Sequence, residues 1–187
     1  MNRWNNSLSV GNGSREVPVF AVGPMTEEHA MEICRWRYEP PYDMYNWNSW
    51  SNMVKTGYEF ANPDIRRQQY RSVTAEGYGL CGFAQLFPMI NVTRLGLGMR
   101  PDLCGKGYGA SFVRAIVRTA QREAPGKEID LEVITTNIRA IKTYEKAGFI
   151  ITDQYEKPTE KGTLSFYCMV YDPAKDMEQQ LKDTEQF

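Results

Sequence analysis

The sequence predicts a mixed α/β fold in one compact domain, with a sheet of about seven strands flanked by helices. Three observations carry this. Seven short segments are rich in β-branched and aromatic residues, a glycine-rich turn opens an amphipathic helix, and 187 residues suffice for one well-buried core but are short for two. Apolar residues are 42% and charged residues 24% of the chain, which excludes a disordered or fibrous class. With 22 basic and 23 acidic side chains the formal net charge is -1, so no global field draws a polyanion and nucleic acid is not an expected partner.

Cys34, Cys81, Cys104 and Cys168 are widely spaced, and His29 is the single histidine, so no metal-ligand spacing is present and no metal is expected. Free thiols fit a reducing, cytoplasmic compartment. No apolar core follows Arg3 as a secretory signal requires, and no apolar run reaches membrane-spanning length, so no membrane partner is expected.

Residues 1–16 read as a polar arm around Gly11-Asn12-Gly13, residues 17–173 as the domain, and residues 174–187 as a charged tail, either a frayed helix or a disordered extension. Val17 to Val22 is the first strand. After the turn at Pro24-Met25, Thr26 caps a helix through Arg35, with Glu27 and Glu28 in its first turn and Ala30, Met31 and Cys34 on its apolar face. His29 is read as a boundary residue of that helix. The stretch Trp36 to Trp47 is aromatic, and Pro40-Pro41 bars it from helix interior. It is either a cover over the core or the wall of an acceptor site, which makes Trp36, Tyr38, Tyr42 and Tyr45 candidate substrate-binding residues. Residues 48–60 continue as a short helix, and Asp64 to Gln69 as a polar approach to the sheet.

Tyr70 to Ala75 and Gly79 to Phe87 form two strands joined around Glu76-Gly77. Val92 to Met99 is the next strand, and Gly96 and Gly98 within it permit a bulge or the close approach of another group. The glycine-rich turn follows, and Phe112, Val113, Ile116 and Ala120 repeat at helical spacing until Pro125-Gly126. Ile129 to Ile134 is a short strand. Asn137 caps a helix that leaves through Gly148, and Phe149 to Tyr155 and Thr163 to Tyr171 complete the sheet.

Two regions carry chemistry. In Cys104-Gly105-Lys106-Gly107-Tyr108-Gly109-Ala110, glycines let backbone amides approach an anion at a helix entrance, with Lys106 adding charge at the rim; the bland alternative is a plain turn. In the second region, Glu132 alternates with Leu131 and Val133 and so faces away from them, while Asn137 and Tyr144 lie nearly two helical turns apart. A carboxylate at a strand end and a phenol on the next helix can serve two ends of one proton transfer; the bland readings are a surface glutamate and a core tyrosine.

The span from Leu95 to Phe149 resembles the GNAT superfamily of acyl-CoA N-acyltransferases. The family's turn, Arg or Gln, two residues, Gly, one residue, Gly or Ala, falls on Cys104, Gly107 and Gly109, with Cys104 departing from the usual polar residue. Asn137 to Phe149 is similar to the following helix of the ribosomal-protein alanine N-acetyltransferase branch. The resemblance implies a mainly antiparallel sheet splayed at its central strands, and acetyl-CoA held by Leu97, Gly98, Met99, the turn Cys104 to Ala110, Asn137 and Arg139. It implies that Asn137 meets the pantetheine arm, that Tyr144 protonates the departing thiolate, and that Glu132 takes the amine proton through a water. The implied reaction is direct transfer of an acetyl group to a primary amine in a ternary complex, the acceptor being a small-molecule amine or a peptide amino terminus. Two rivals stand beside it: a noncatalytic coenzyme A or acyl-CoA sensor, and a structural protein that docks through its aromatic segment.

Overall fold

The computed structural model describes residues 17–159 and 162–185. The proposed arm, residues 1–16, lies outside them. In chain order the elements are β1 (Phe20–Pro24), α1 (Glu27–Ile33), α2 (Trp50–Thr56), α3 (Pro63–Gln69), β2 (Tyr70–Ala75), β3 (Gly79–Pro88), β4 (Val92–Met99), α4 (Gly109–Glu123), β5 (Glu128–Ile134), α5 (Ile138–Lys146), β6 (Phe149–Thr159), β7 (Gly162–Tyr171) and α6 (Pro173–Glu185). The seven strands form one mixed sheet in the order β1-β2-β3-β4-β5-β7-β6, and every pair is antiparallel except β4 with β5.

Strand alternation divides the core between the two faces of this sheet. Val73, Cys81, Ala84, Leu95, Leu131 and Val133 meet Phe112, Val113 and Ile116 of α4 and Ile141 of α5 on one face. Tyr70, Leu80 and Phe83 meet Ile33 of α1, Met53 of α2 and Phe60 on the other. Burial of these large side chains, each stabilising by about 1.5–3 kcal/mol, fixes which way each strand faces.

Local signals set most boundaries. Thr26 Oγ1 accepts from the His29 amide at 3.2 Å, and Asn137 Oδ1 from the Ala140 amide at 3.2 Å, so both expected caps are present. The His29 ring reaches Ser72 Oγ at 2.8 Å, a boundary position as expected. The first strand is displaced: it runs from Phe20 to Pro24 because pairing with β2 begins at Phe20 opposite Ala75, and Val19 stays 89% exposed. The polar approach at residues 64–69 is a helix. Asn62 Oδ1 accepts from the Asp64 and Ile65 amides, Pro63 occupies the first turn, and Arg66 is buried with Nη1 donating to Phe60 O at 2.7 Å.

β4 carries no bulge against β3; what approaches Gly96 and Gly98 is side chains. A Cβ at Gly98 would lie 2.5 Å from the Phe83 ring, and one at Gly96 3.3 Å from Gln85 Oε1.

The charged C-terminal segment is helix α6, anchored by Asp176. This buried carboxylate accepts from Arg114 Nε at 2.6 Å and from Tyr171 Oη at 3.0 Å, while Gly148 at φ 90° passes against its backbone. A Cβ at Gly148 would sit 2.5 Å from Asp176 Cβ, in a backbone region that disfavours any other residue. Gly148→Ala is therefore expected to destabilise the domain by about 2–4 kcal/mol in urea unfolding.

Candidate functional site

β4 and β5 part company midway. Their parallel pairing runs from Val92 opposite Glu128 to Leu95 opposite Leu131 and stops, although β4 stays paired with β3 to Met99 and β5 with β7 to Ile134. Arg94 sits one rung before the last, its Nε 3.0 Å and Nη2 2.5 Å from the Asp130 carboxylate and its Nη1 on Glu132. Beyond it the strands leave a gap. Because Arg100 donates its amide to Cys81 O, strand alternation turns the amides of Leu97 and Met99 the other way, into that gap.

A cavity of about 1110 Å³ follows the gap through the sheet. One end opens at the turn before α4. Gly105 and Gly107 have φ of 75° and 86°, and a Cβ at either would meet nothing within 4 Å, so the turn's outer face is bare backbone. Among the described residues, the amides of residues 107–111 donate to no protein acceptor; the first helical bond runs from Phe112 to Tyr108 O. No side chain caps this 15-residue helix and no carboxylate stands in its first turn. Four or more free donors and the positive end of a helix thus converge on an open surface, the arrangement that holds a phosphate. Gly109 belongs to packing instead, since a Cβ there would lie 2.6 Å from Thr143 Cγ2 of α5.

Residues 28–149 match the model of the acetyltransferase (GNAT) family. The chain belongs to that family. No curated protein matches the sequence. Among solved GNAT-fold structures, a spermidine N-acetyltransferase chimera of Vibrio cholerae SpeG and hSSAT is 16% identical, with a TM-score of 0.66 over 86% of this chain and 99% of that one. The Vibrio cholerae spermidine N-acetyltransferase in complex with CoA and spermine is 15% identical, with a TM-score of 0.61 over 85% and 98%. The Escherichia coli ribosomal-protein-S18-alanine N-acetyltransferase is 18% identical, with a TM-score of 0.56 over 81% and 92%. At these identities the likeness is one of fold.

The GNAT fold brings most of the expected residues to the cavity. Leu97, Gly98, Met99, Cys104, Gly105, Gly107, Gly109, Ala110, Glu132, Asn137, Arg139 and Tyr144 all line it, as do Tyr38 and Tyr45. Lys106 is exposed at the rim, and Tyr108 is buried against Tyr78 with ring centroids 6.2 Å apart, so its side chain serves the core. Cys104 turns inward, Sγ 3.7 Å from Met99 O, and burial raises its thiol above the ordinary range.

The aromatic segment divides between the two roles open to it. Trp36 is core, 8% exposed and packed on Phe83 at 6.5 Å, because it follows directly on α1 and is drawn into the cluster below. Tyr42 lies under the Arg139 guanidinium, 3.9 Å from ring centroid, and braces it. Tyr38 donates to Met99 O at 2.7 Å, tying the segment to the free edge of β4. Tyr45 Oη accepts from Asn137 Nδ2 at 3.0 Å, so Asn137 has both ends of its carboxamide engaged, one capping α5 and one holding the wall. Trp47, an aromatic of the same stretch, completes that wall with Met44, Tyr58, Tyr70, Phe83 and Gln85; sequence spacing did not single out the last four, since they come from parts of the chain far from that stretch.

The two proton-handling candidates differ sharply in surroundings. Among the described residues no hydrogen bond engages Tyr144 Oη, and burial, followed by the neighbouring Tyr45, raises its phenol well above the ordinary value, so it is a neutral donor facing the cavity. Glu132 is the reverse. Arg94 and Lys157 both form ion pairs with it, and Tyr155 Oη donates to it. Burial pushes the carboxyl up, but hydrogen bonds from Lys157 and Tyr155 and the positive charge of Arg94 more than offset this and hold it below the ordinary value. A carboxylate so held is a weak proton acceptor.

Because Glu132 has a depressed value in the folded protein, its network stabilises fully above the ordinary glutamate value of 4.5 and loses that contribution as pH falls through the lower, folded value. Glu132→Gln is accordingly expected to lower unfolding free energy at neutral pH by about 1–3 kcal/mol, with the gap to wild type closing as urea titrations move below pH 4.5.

Proposed function

We propose that the protein transfers an acetyl group from acetyl-CoA to the primary amine of a small molecule, by direct attack within a ternary complex. One observation carries this reading: a bare-amide helix entrance opens into the same cavity that continues through the strand gap to a neutral phenol with no hydrogen-bond partner among the described residues. The parts fit coenzyme A. The amides of residues 107–111 match a diphosphate, the inward amides of Leu97 and Met99 match an extended arm with carbonyl groups, and Arg139, braced on Tyr42, supplies a cation beside the rim. Bound acetyl-CoA supplies an acyl group already activated as a thioester.

The chain's own residues do the rest. The Met99 or Leu97 amide, fixed by the sheet, offers a donor where negative charge develops on the thioester oxygen. Tyr144 gives its proton to the departing sulfur, which a phenol with a raised value does without prior ionisation. Glu132, saturated by Arg94, Lys157 and Tyr155, serves as the fixed centre that orders those three groups. The amine enters neutral, or loses its proton to water in the open cavity, and the proton that the nitrogen sheds after attack passes through cavity water back to Tyr144, restoring the phenol. The acceptor half is lined by Trp47, Tyr58, Tyr70 and Phe83, with Asn46, Asn48, Asn52 and Gln85 as neutral polar groups. This wall suits an amine with one positive charge on a planar or apolar body. It differs from what several spaced ammonium groups of a polyamine ask for, because Glu132, the carboxylate that lines the cavity, is already paired.

Two measurements test the reading. Calorimetric titration with coenzyme A is expected to show binding that Gly107→Ala weakens by about tenfold or more, since a methyl group enters the phosphate's space at a backbone angle that resists it. Thiol release from acetyl-CoA is expected with 2-phenylethylamine above that with spermidine or an alanine-terminated tetrapeptide, and Tyr144→Phe is expected to lower kcat about a hundredfold while leaving coenzyme A affinity within about threefold. Coenzyme A binding without thiol release to any amine would instead favour the sensor.

A further inference from the structure

Gln85 carries one orientation that its neighbours enforce. Its Nε2 donates to Gln69 Oε1 at 2.9 Å and to Glu59 Oε2 at 3.4 Å, which uses both amide hydrogens. A carboxylate only accepts, so the group facing Glu59 is the NH2 and not the oxygen. Glu59 is itself held. Tyr70 Oη donates to the same Oε2 at 2.5 Å, and the residue stands at φ 49°, the one non-glycine positive φ among the described residues. Among the described residues no lysine, arginine or histidine pairs with it, in contrast to Glu132.

The consequence lies at the other end of the amide. Gln85 is directly across from Gly96 in the β3–β4 register, one residue before Leu97, and both line the cavity. The position a Cβ would take at Gly96 is 3.3 Å from Gln85 Oε1, so the missing side chain leaves that oxygen uncovered. Among the described residues no donor engages it. A lone acceptor therefore faces the cavity beside the strand segment that would meet the thioester, backed by an uncompensated carboxylate.

We propose that Gln85 Oε1 binds the acceptor amine through one of its N–H bonds, and that Glu59, with Gln69 and Tyr70, acts as a positioning residue that prevents the amide from turning over. The assignment rests on the acetyl-transfer reading above and deepens it. It makes the site selective for an amine that still carries an N–H to donate after its lone pair is aimed at the thioester. A primary amine meets this and a tertiary amine does not. Gly96 belongs to the same device, since any side chain there would crowd the oxygen.

The test is steady-state thiol release with 2-phenylethylamine, spermidine and an alanine-terminated tetrapeptide as probes, alongside calorimetry with coenzyme A. Gln85→Leu is expected to raise KM for the acceptor about tenfold or more, with coenzyme A affinity within about twofold and a smaller change in kcat. Glu59→Gln lets the Gln85 amide turn over and is expected to raise KM about threefold to tenfold. In the double variant Gln85→Glu with Glu59→Gln, the donor and acceptor roles exchange and an oxygen again faces the cavity. That pair is expected to recover KM to within about threefold of wild type, a rescue that general loosening of the fold does not produce. If the wild type turns over a probe while Gln85→Leu keeps its KM, or the double variant is no better than the worse single one, the assignment falls and acetyl transfer stands. If coenzyme A binds and no probe releases thiol, the transfer reading itself fails and takes this one with it.

Discussion

The function proposed for this chain depends on two neighbouring strands that stop pairing. β4 and β5 are held together up to Leu95 and Leu131, and the Arg94 guanidinium lies on Asp130 and Glu132 at the point of separation. Each strand remains supported on its outer side, so parting them costs only the inner ladder bonds. The gain is a passage through the middle of a sheet whose exposed amides, at Leu97 and Met99, are rigidly placed. A sheet fully paired across its centre would offer no such passage. The free helix entrance at α4 and the phenol on α5 line one cavity only because the gap joins them.

The distribution of charge follows the same plan. Carboxylates that hold structure are paired: Asp130 and Glu132 with Arg94, and Asp176 with Arg114. Removing one partner of such a pair leaves a half-buried charge uncompensated, which is why these residues read as structural supports. Glu59 stands apart. It is half-buried, accepts only neutral donors, and sits in a conformation that glycine would adopt more readily. Such strain persists where the surroundings over-determine it.

Much of this was legible in the sequence because the signals are local. Thr26 and Asn137 announce helices by capping, Val92 to Met99 reads as a strand by composition, and Gly105 and Gly107 mark a turn whose backbone must be bare. The helix at Pro63–Gln69 carried a local signal too, Asn62 followed by proline and aspartate, which its lack of apolar periodicity obscured. Other features had no local trace. The first strand is placed by its partner Ala75 and not by its own residues. Whether an aromatic residue near position 40 covers the core or faces the cavity depends on what lies 60 or more residues away: Tyr38 is drawn to Met99, and Tyr45 to Asn137. The ties on Glu132 come from Arg94, Tyr155 and Lys157, on two other strands, so its ion pairs leave no local trace in the sequence around it.

The central claim is that main-chain donors at the start of α4 receive a diphosphate whose attached arm enters the gap beside β4. Amide proton and nitrogen shifts recorded while coenzyme A is titrated into isotopically labelled protein test it most directly. The account predicts that the largest changes fall on residues 107–111, with a second set at Leu97 and Met99. Saturable binding that leaves those amides unmoved, with the shifts concentrated elsewhere on the domain, would contradict it.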